Sequence, residues 1–228
     1  RIALVGLAVC FFYTQPVFSV EVHSVKKTRL ANGLVILTKP LTTNNIVSVA
    51  VSLRMGSLYE NDEKAGLAAL MQKTVLKGTK TRNSEQIAET LESMGTRIFS
   101  SADREFGAIT LQSTSESIYS SLEILYDILR NATFPQDAVD LQKNLQIREI
   151  RSRRDQPLYR AIELMVEAEY GAHPFHKPAM GYPETVEKLT RDDLVKSYSA
   201  VYAPNNMVIS AVGNFDEKAL IMDISNAM

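Results

Sequence analysis

The chain has 228 residues, 45% hydrophobic and 22% charged, which is the composition of an ordinary globular protein with enough apolar residues for a sizeable core. Its formal net charge is −1, which excludes a strongly basic protein of the kind that binds nucleic acid or an anionic membrane. The length allows one large domain or two small ones.

The N-terminus has the pattern of a secretory signal peptide. Arg1 precedes an apolar run over residues 2–13, and Pro16 and small residues follow it. The run is shorter than the ~20 residues that a membrane-spanning helix requires, so we predict no stable membrane span. We predict a signal peptide over residues 1–19 and export to the periplasm of a bacterium; a buried first helix or strand is the alternative. Cys10 is the only cysteine, and its removal with this segment would leave no disulfide.

Residues 20–228 are predicted to form one domain of strands and helices. The first elements are a hairpin over 25–40, a period-two strand over 46–57, a helix over 64–77, a helix over 84–95 capped by Ser84, two strands over 96–115 and a helix over 117–134. The later elements are a long helix over 135–156, a helix over 158–171, a Pro- and Gly-rich loop over 173–183, a helix over 190–204, a strand over 205–215 and a helix from Asp216. This order indicates an α+β fold in which an antiparallel sheet is layered with helices.

Several common catalytic arrangements are absent from the sequence. It contains neither a nucleophile elbow nor a glycine-rich phosphate loop. Glu169, His173 and His176 have spacings that could suit a metal ion. Gly171 and Pro174 would interrupt the helix that aligns them, so ring N–H groups bonded to loop carbonyls are the favoured interpretation. A basic run is interpreted as a solvated helix face, with binding of an acidic partner as the alternative: Arg148, Arg151, Arg153 and Arg154.

The helix over 64–77 carries polar residues where its periodicity requires a buried face. Gln72 and Lys73 interrupt the Ala- and Leu-rich sequence AGLAALMQKTVLKGT. Inverted zinc peptidases carry H-x-x-E-H on a helix, where the two histidines bind the metal and the glutamate activates water. The segment from Gly66 to Thr79 resembles the pattern G-x-A-H-F-L-E-H-M-L-F-K-G-T of the M16 metallopeptidases, the pitrilysin and mitochondrial processing peptidase family.

Other segments resemble M16 motifs in the same order along the chain. LRMGSLYEND is similar to V-x-x-G-S-R-x-E, REIRSRRDQP to the helix of the third metal ligand, HPFHKPAMG to HPYG-x-P-x-x-G, and YAPNNMVISAVGNF to a closing Y-x-P-x-N-M segment. The resemblance covers residues 28–215. It implies an M16 N-terminal domain over residues 20–228, from a fragment without the second homologous domain, which in the family carries an arginine–tyrosine pair that helps to bind substrate.

The resemblance also implies that the metal site is degenerate. Ala69 and Lys73 stand at the two histidine positions and Gln72 at that of the glutamate; these three are called the degenerate motif below. Glu149 stands at the third ligand position. Alanine offers no ligand, an amide is not a base near neutral pH, and an ammonium group has no lone pair to donate. Because three protein ligands are the rule for catalytic zinc, we expect no catalytic residue, no metal and no cofactor here, although the family uses zinc.

Two functional hypotheses follow from the resemblance. The first is a non-catalytic M16 subunit, inactive by itself, that forms a heterodimer with a zinc peptidase carrying an intact H-x-x-E-H and helps to enclose and bind peptide substrate. In the family, peptides bind by adding an extended strand to a sheet edge. The second is a structural or scaffolding protein with this fold and no role in proteolysis. Neither hypothesis includes a nucleic-acid partner.

The spacing of Lys73 and Glu149 matches the family's spacing between the second histidine and the third ligand. Both side chains should therefore point to the same place, and we expect an ion pair, direct or through one water, with Gln72 donating its amide hydrogens nearby. The alternative is that Lys73 extends into solvent and Glu149 pairs with Arg153.

Overall fold

The computed structural model describes residues 25–228, so the predicted signal peptide at residues 1–19 lies outside the described part. Six strands form one sheet in the order β1-β2-β6-β3-β5-β4. They are β1 (Lys26–Arg29), β2 (Val35–Pro40), β3 (Ile46–Arg54), β4 (Arg97–Ala102), β5 (Phe106–Thr114) and β6 (Met207–Gly213). Neighbouring strands are antiparallel, as predicted, except that β2 and β6 run parallel.

The described residues also form eight α-helices, which supply the second layer of the fold. They are α1 (Leu67–Val75), α2 (Ser84–Ser93), α3 (Ile118–Asn131), α4 (Gln136–Arg154), α5 (Pro157–Tyr170), α6 (Pro183–Lys188), α7 (Arg191–Val201) and α8 (Glu217–Ala227). Helices α1, α3 and α8 pack against β4, β5 and β2, respectively. Within residues 25–228, no helix combines the length and the hydropathy that crossing a membrane requires.

Strand β3 lies at the centre of the sheet, between β6 and β5. Its alternate residues Val47, Val49, Val51 and Leu53 are buried, which confirms the face predicted from the period-two pattern. This strand and the helices above it form the hydrophobic core that supports α1.

Helix α1 begins at Leu67, later than the predicted position 64. Gly66 has a φ of 96°, in the left-handed region, so the α-helix cannot extend back through it. A Cβ at this position would lie 2.5 Å from the carbonyl oxygen of Met180. Glycine is therefore required both by the backbone conformation and by the close approach of the loop before α6.

The cap of α2 and the presence of α6 also differ from the prediction. Asn83, rather than Ser84, caps α2: its side chain accepts a hydrogen bond from Gln86 N, and Gln86 returns one to Asn83 N. Helix α6 lies at the end of the loop predicted over 173–183 and was not predicted, because its six residues are too few to show helical periodicity.

Candidate functional site

Glu60 fixes the start of α1, the helix of the degenerate motif. Its carboxylate accepts hydrogen bonds from Gly66 N at 2.8 Å and Ala68 N at 2.5 Å, two of the amide groups that a helix N-terminus leaves free. The ammonium group of Lys177, which is buried, donates to the Glu60 carbonyl oxygen. Burial raises the pKa of the Glu60 carboxyl, and the two backbone donors and Lys177 offset part of this effect.

Gln146 holds α4 against α1. Its side chain is fully buried, and Nε2 donates to the carbonyl oxygens of Gly66 at 3.1 Å and Met180 at 2.9 Å. Glu149 follows one turn later on α4 and therefore lies beside α1. Neither Gln146 nor Glu60 is assigned a role from the sequence; the signal for Gln146 is a polar residue on the apolar face of the predicted helix.

The predicted ion pair between Lys73 and Glu149 is confirmed. Lys73 Nζ lies 2.8 Å from Glu149 Oε2, while Arg153 Nη2 donates to the other oxygen, Oε1, at 2.7 Å. The contact offered as the alternative therefore forms as well, and the carboxylate bridges two cations. The hydrogen bond from Lys73 is the main reason that the pKa of Glu149 lies below its ordinary value, despite a smaller opposing effect of burial.

Gln72 lies in the protein interior, and the prediction that it donates beside the ion pair is wrong. Its side chain is buried, and Nε2 donates to Met55 Sδ at 3.2 Å. Gly107 on β5 leaves the space that Met55 and the Gln72 amide occupy. Burial raises the pKa of Tyr202, and the neighbouring Gln72 amide lowers it in part. Position 72 is therefore part of the core below α1.

The donor set at this site does not fit a zinc ion. Ala69 presents only a methyl group, Lys73 is an ammonium group paired with Glu149, and Gln72 is turned away into the core. Glu149 remains as a single carboxylate where catalytic zinc takes three protein ligands. Across residues 25–228, no three His, Cys, Asp or Glu side chains form a group that could hold a metal ion.

The histidines of the loop before α6 make local contacts. His176 Nδ1 lies 2.8 Å from the carbonyl oxygen of His173, which agrees with the favoured interpretation of a ring bonded to a loop carbonyl. His173 differs, because its Nδ1 accepts a hydrogen bond from Phe175 N at 3.2 Å. Phe175 also stacks on Tyr170 at the end of α5. These contacts order the loop.

The basic run at the end of α4 is only partly solvated. Arg148, Arg151 and Arg153 are exposed, as predicted for a solvated face. Arg154 is half-buried, and its guanidinium lies over the ring of Tyr182 at 5.9 Å. The prediction is therefore wrong for Arg154, which lines a cavity between α4, α5 and the loop before α6.

Strand β4 is an edge of the sheet and runs beside α1. Among the described strands it pairs only with β5, so its outer backbone groups have no ladder partner there. Ser100 Oγ donates to the carbonyl oxygen of Gln72, which joins the middle of β4 to α1. A groove of about 410 Å³ lies at the start of β4, lined by apolar groups that include Leu91, Ile98 and Phe99.

The comparisons with known proteins agree with this architecture. The description "Insulinase (Peptidase family M16)" matches residues 35–182, and "Peptidase M16 inactive domain" matches residues 188–227. A Rickettsia bellii protein named as an uncharacterized zinc protease is 29% identical over 196 residues, which are 86% of this chain and 48% of the relative. This chain thus spans about half the length of the curated relatives it matches.

Solved structures show the same fold at lower sequence identity. The peptidase M16 inactive domain from Pseudomonas fluorescens superposes with a TM-score of 0.83 at 22% identity, covering 90% of this chain and 50% of that one. The periplasmic protease PqqL from Escherichia coli gives a TM-score of 0.81 at 23% identity, covering 89% of this chain and 23% of that one. At these identities the likeness concerns the fold alone.

Proposed function

Because the chain belongs to the M16 peptidase family, we propose that it is a non-catalytic member that binds peptide and pairs with a zinc peptidase carrying an intact H-x-x-E-H. The observation that carries the proposal is the geometry of the degenerate motif. Lys73 and Glu149, which the resemblance assigns to ligand positions, form an ion pair, and Gln72, which it assigns to the position of the base, is buried against Met55. No metal or other cofactor is expected to bind this chain.

The open edge of β4 supports peptide binding. An extended peptide can add to this edge through backbone hydrogen bonds, which make few demands on its sequence. The apolar groove at the start of the strand provides a place for a hydrophobic side chain of that peptide. The scaffolding alternative requires neither feature, so peptide binding is the property that separates the two hypotheses.

Helix α5 supports the proposal of a partner. Leu158 and Met165 are 71% and 62% exposed and lie on one face of the helix, and Ile162 at the edge of that face is 45% exposed. Contiguous exposed apolar groups are typical of surfaces that contact another protein. We assign this face to the zinc peptidase partner; the remaining half of a longer chain is the competing occupant. The signal-peptide pattern supports a periplasmic location for the assembly.

The proposal is tested by reconstitution with an M16 peptidase from the same organism that carries H-x-x-E-H. We expect this chain alone to show no peptide cleavage that a metal chelator inhibits. Addition of the chain to the peptidase should produce a stable complex and increase chelator-sensitive cleavage. Chelator-sensitive cleavage by the purified chain alone would contradict the proposal, and a complex without any peptide binding would favour the scaffolding alternative.

A further inference from the structure

A cavity with an unusual concentration of arginines lies just beyond the end of β4. Its volume is about 260 Å³, and it is bounded by the β4–β5 turn, the end of α4, one face of α5 and the loop before α6. Three arginines line it, together with two glutamates: Arg104, Arg154, Arg160, Glu163 and Glu167. A second cavity of about 280 Å³ is also lined by Arg104 and Glu163 and extends to Arg153. Arg153 is the residue that forms an ion pair with Glu149.

The pairing of these charges within the described residues is incomplete. Glu163 Oε2 lies 3.0 Å from Arg160 Nη1 and 3.9 Å from Arg154 Nε, so one carboxylate is shared between two guanidinium groups. The guanidinium of Arg104 makes no hydrogen bond or ion pair with any residue in the described part of the chain, and its Nε is buried. A guanidinium group carries five N–H donors in a planar fork that matches a carboxylate. The cavity therefore has donors and positive charge that its own glutamates do not satisfy.

The position of Arg104 connects this cavity with the open edge strand. It lies in the turn that follows Ala102, the last residue of β4. An extended chain advances ~3.3 Å per residue. A peptide paired with β4 that continued one or two residues beyond Ala102 would therefore reach the Arg104 guanidinium.

We propose that this cavity is a subsite for a carboxylate of the bound peptide, with Arg104 as its principal partner. The carboxylate is either an Asp or Glu side chain or the C-terminal carboxylate. This inference rests on the proposed peptide-binding function and adds a preference for acidic substrates. The charge-assisted hydrogen bonds and the geometry of the guanidinium fork favour a carboxylate over a neutral side chain.

The test measures binding of three fluorescent peptides of one extended sequence to the full chain by fluorescence anisotropy. One peptide is neutral with an amidated C-terminus, one carries a single glutamate near its end, and one has a free C-terminal carboxylate. We expect at least one acidic peptide to bind roughly tenfold more tightly than the neutral one. This difference in affinity between the acidic and the neutral peptide should decrease as salt is added, because screening weakens the attraction between the carboxylate and the guanidinium. The two acidic probes identify which source of carboxylate the cavity accepts.

Three variants make the test specific. Arg104→Gln should abolish the advantage of the acidic peptide and leave binding of the neutral peptide unchanged. Glu163→Gln should increase the advantage, because it releases Arg154 and Arg160 for the incoming carboxylate. Arg148→Gln changes an exposed arginine on α4 outside the cavity and should have no effect.

The outcomes separate the two proposals. Equal binding of neutral and acidic peptides by the unmodified chain, or an acidic preference that survives Arg104→Gln, would overturn the subsite while peptide binding stands. No binding of any peptide would overturn both. Circular dichroism of each variant confirms that the fold is retained.

Discussion

Lys73 on α1 and Glu149 on α4 form an ion pair that solvent reaches. Their side chains are 29% and 42% exposed, so solvent screens the attraction and the pair contributes at most ~1 kcal/mol to folding. Arg153 provides a second cation for the same carboxylate, and loss of either partner leaves Glu149 paired. The pair therefore lowers the pKa of Glu149, and the stability linked to that shift is small.

Lys73→Met should raise the pKa of Glu149 toward its ordinary value of 4.5, because the Lys73 hydrogen bond is the main cause of the lowering. A lowered carboxyl pKa contributes stability above pH 4.5 that is lost as the pH falls through the folded-state pKa. The variant should lose part of that pH dependence. Carbon-detected NMR titration of the Glu149 carboxyl measures the shift. Arg153→Met is the matched control and should raise the pKa less; an unchanged pKa in Lys73→Met would refute the assignment.

Ala69→His combined with Lys73→His should create a zinc site. The two histidines would lie four residues apart on one helical face beside Glu149, which gives three protein ligands. We expect the double variant to bind zinc in isothermal titration calorimetry and the unmodified chain not to. Addition of Glu149→Gln to the double variant should weaken binding strongly. Failure of the double variant to bind zinc would show that the groups around the site no longer orient the ligands.

Helix α1 is positioned by buried polar contacts at its first turn as well as by its apolar face. Glu60 satisfies amide groups at its N-terminus, and Gln146 joins the carbonyl oxygen of Gly66 to α4. Buried polar groups of this kind are costly to leave unpaired. The two residues therefore determine where α1 begins and how α4 lies against it, and through these contacts they place Glu149 beside Lys73.

Glu60→Ala should lower the free energy of unfolding by ~1–3 kcal/mol, because it leaves two buried amide groups without an acceptor. Urea denaturation measures the change, and Glu63→Ala, at an exposed position of the same segment, should have little effect. A loss equal to that of the Glu63 control would contradict the role of Glu60 as a helix cap.

Glu60→Gln should change how stability depends on pH. The folded-state pKa of Glu60 is raised above its ordinary value of 4.5, so its contribution is fully present below pH 4.5 and is lost as the pH rises through the folded-state pKa. The glutamine cannot ionise, and the variant should lose less stability than the unmodified protein between acidic and neutral pH. Urea denaturation across this range tests the sign; an identical pH dependence in both proteins would refute it.

At the scale of the whole molecule, helix α5 exposes apolar side chains to solvent on one side of the described fold. Within α5 only Glu163 and Val166 are half-buried, while Leu158 and Met165 are largely exposed. The open edge of β4 and the arginine cavity lie at the same end of α4 as this helix. Peptide binding and contact with a partner are therefore proposed for neighbouring surfaces.

Leu158→Ser combined with Met165→Ser should weaken binding of the zinc peptidase partner by roughly tenfold or more, since it removes the centre of an apolar contact. The stability of the isolated chain should change by less than ~0.5 kcal/mol, because both side chains are exposed. Analytical ultracentrifugation of the mixture measures the complex. Met222→Ser, an equally exposed position on α8, is the control. Undiminished association of the double variant would exclude α5 from the interface.

Local patterns were sufficient to predict most of the secondary structure. The alternation in β3, the buried seam of α3 at Ile118, Leu122 and Leu125, and the Thr190 cap of α7 all depend on neighbours within a few residues. The segments similar to M16 motifs identified the family, and the spacing of Lys73 and Glu149 predicted their contact. These features are encoded locally or by the family pattern, so the sequence alone determined them.

Only the tertiary structure decided what the polar residues at the site contact. The sequence predicts Gln72 beside the ion pair. In the structure its side chain fills the space that Gly107 on β5 leaves in the core and donates to Met55. Gln146 reaches a backbone carbonyl 80 residues away in the chain, and Arg104 shares a cavity with the end of α4 and one face of α5. Such partners are separated by long stretches of chain, and their contacts depend on how sheet and helices pack. No local periodicity specifies that packing, and the direction of each buried polar side chain follows from it.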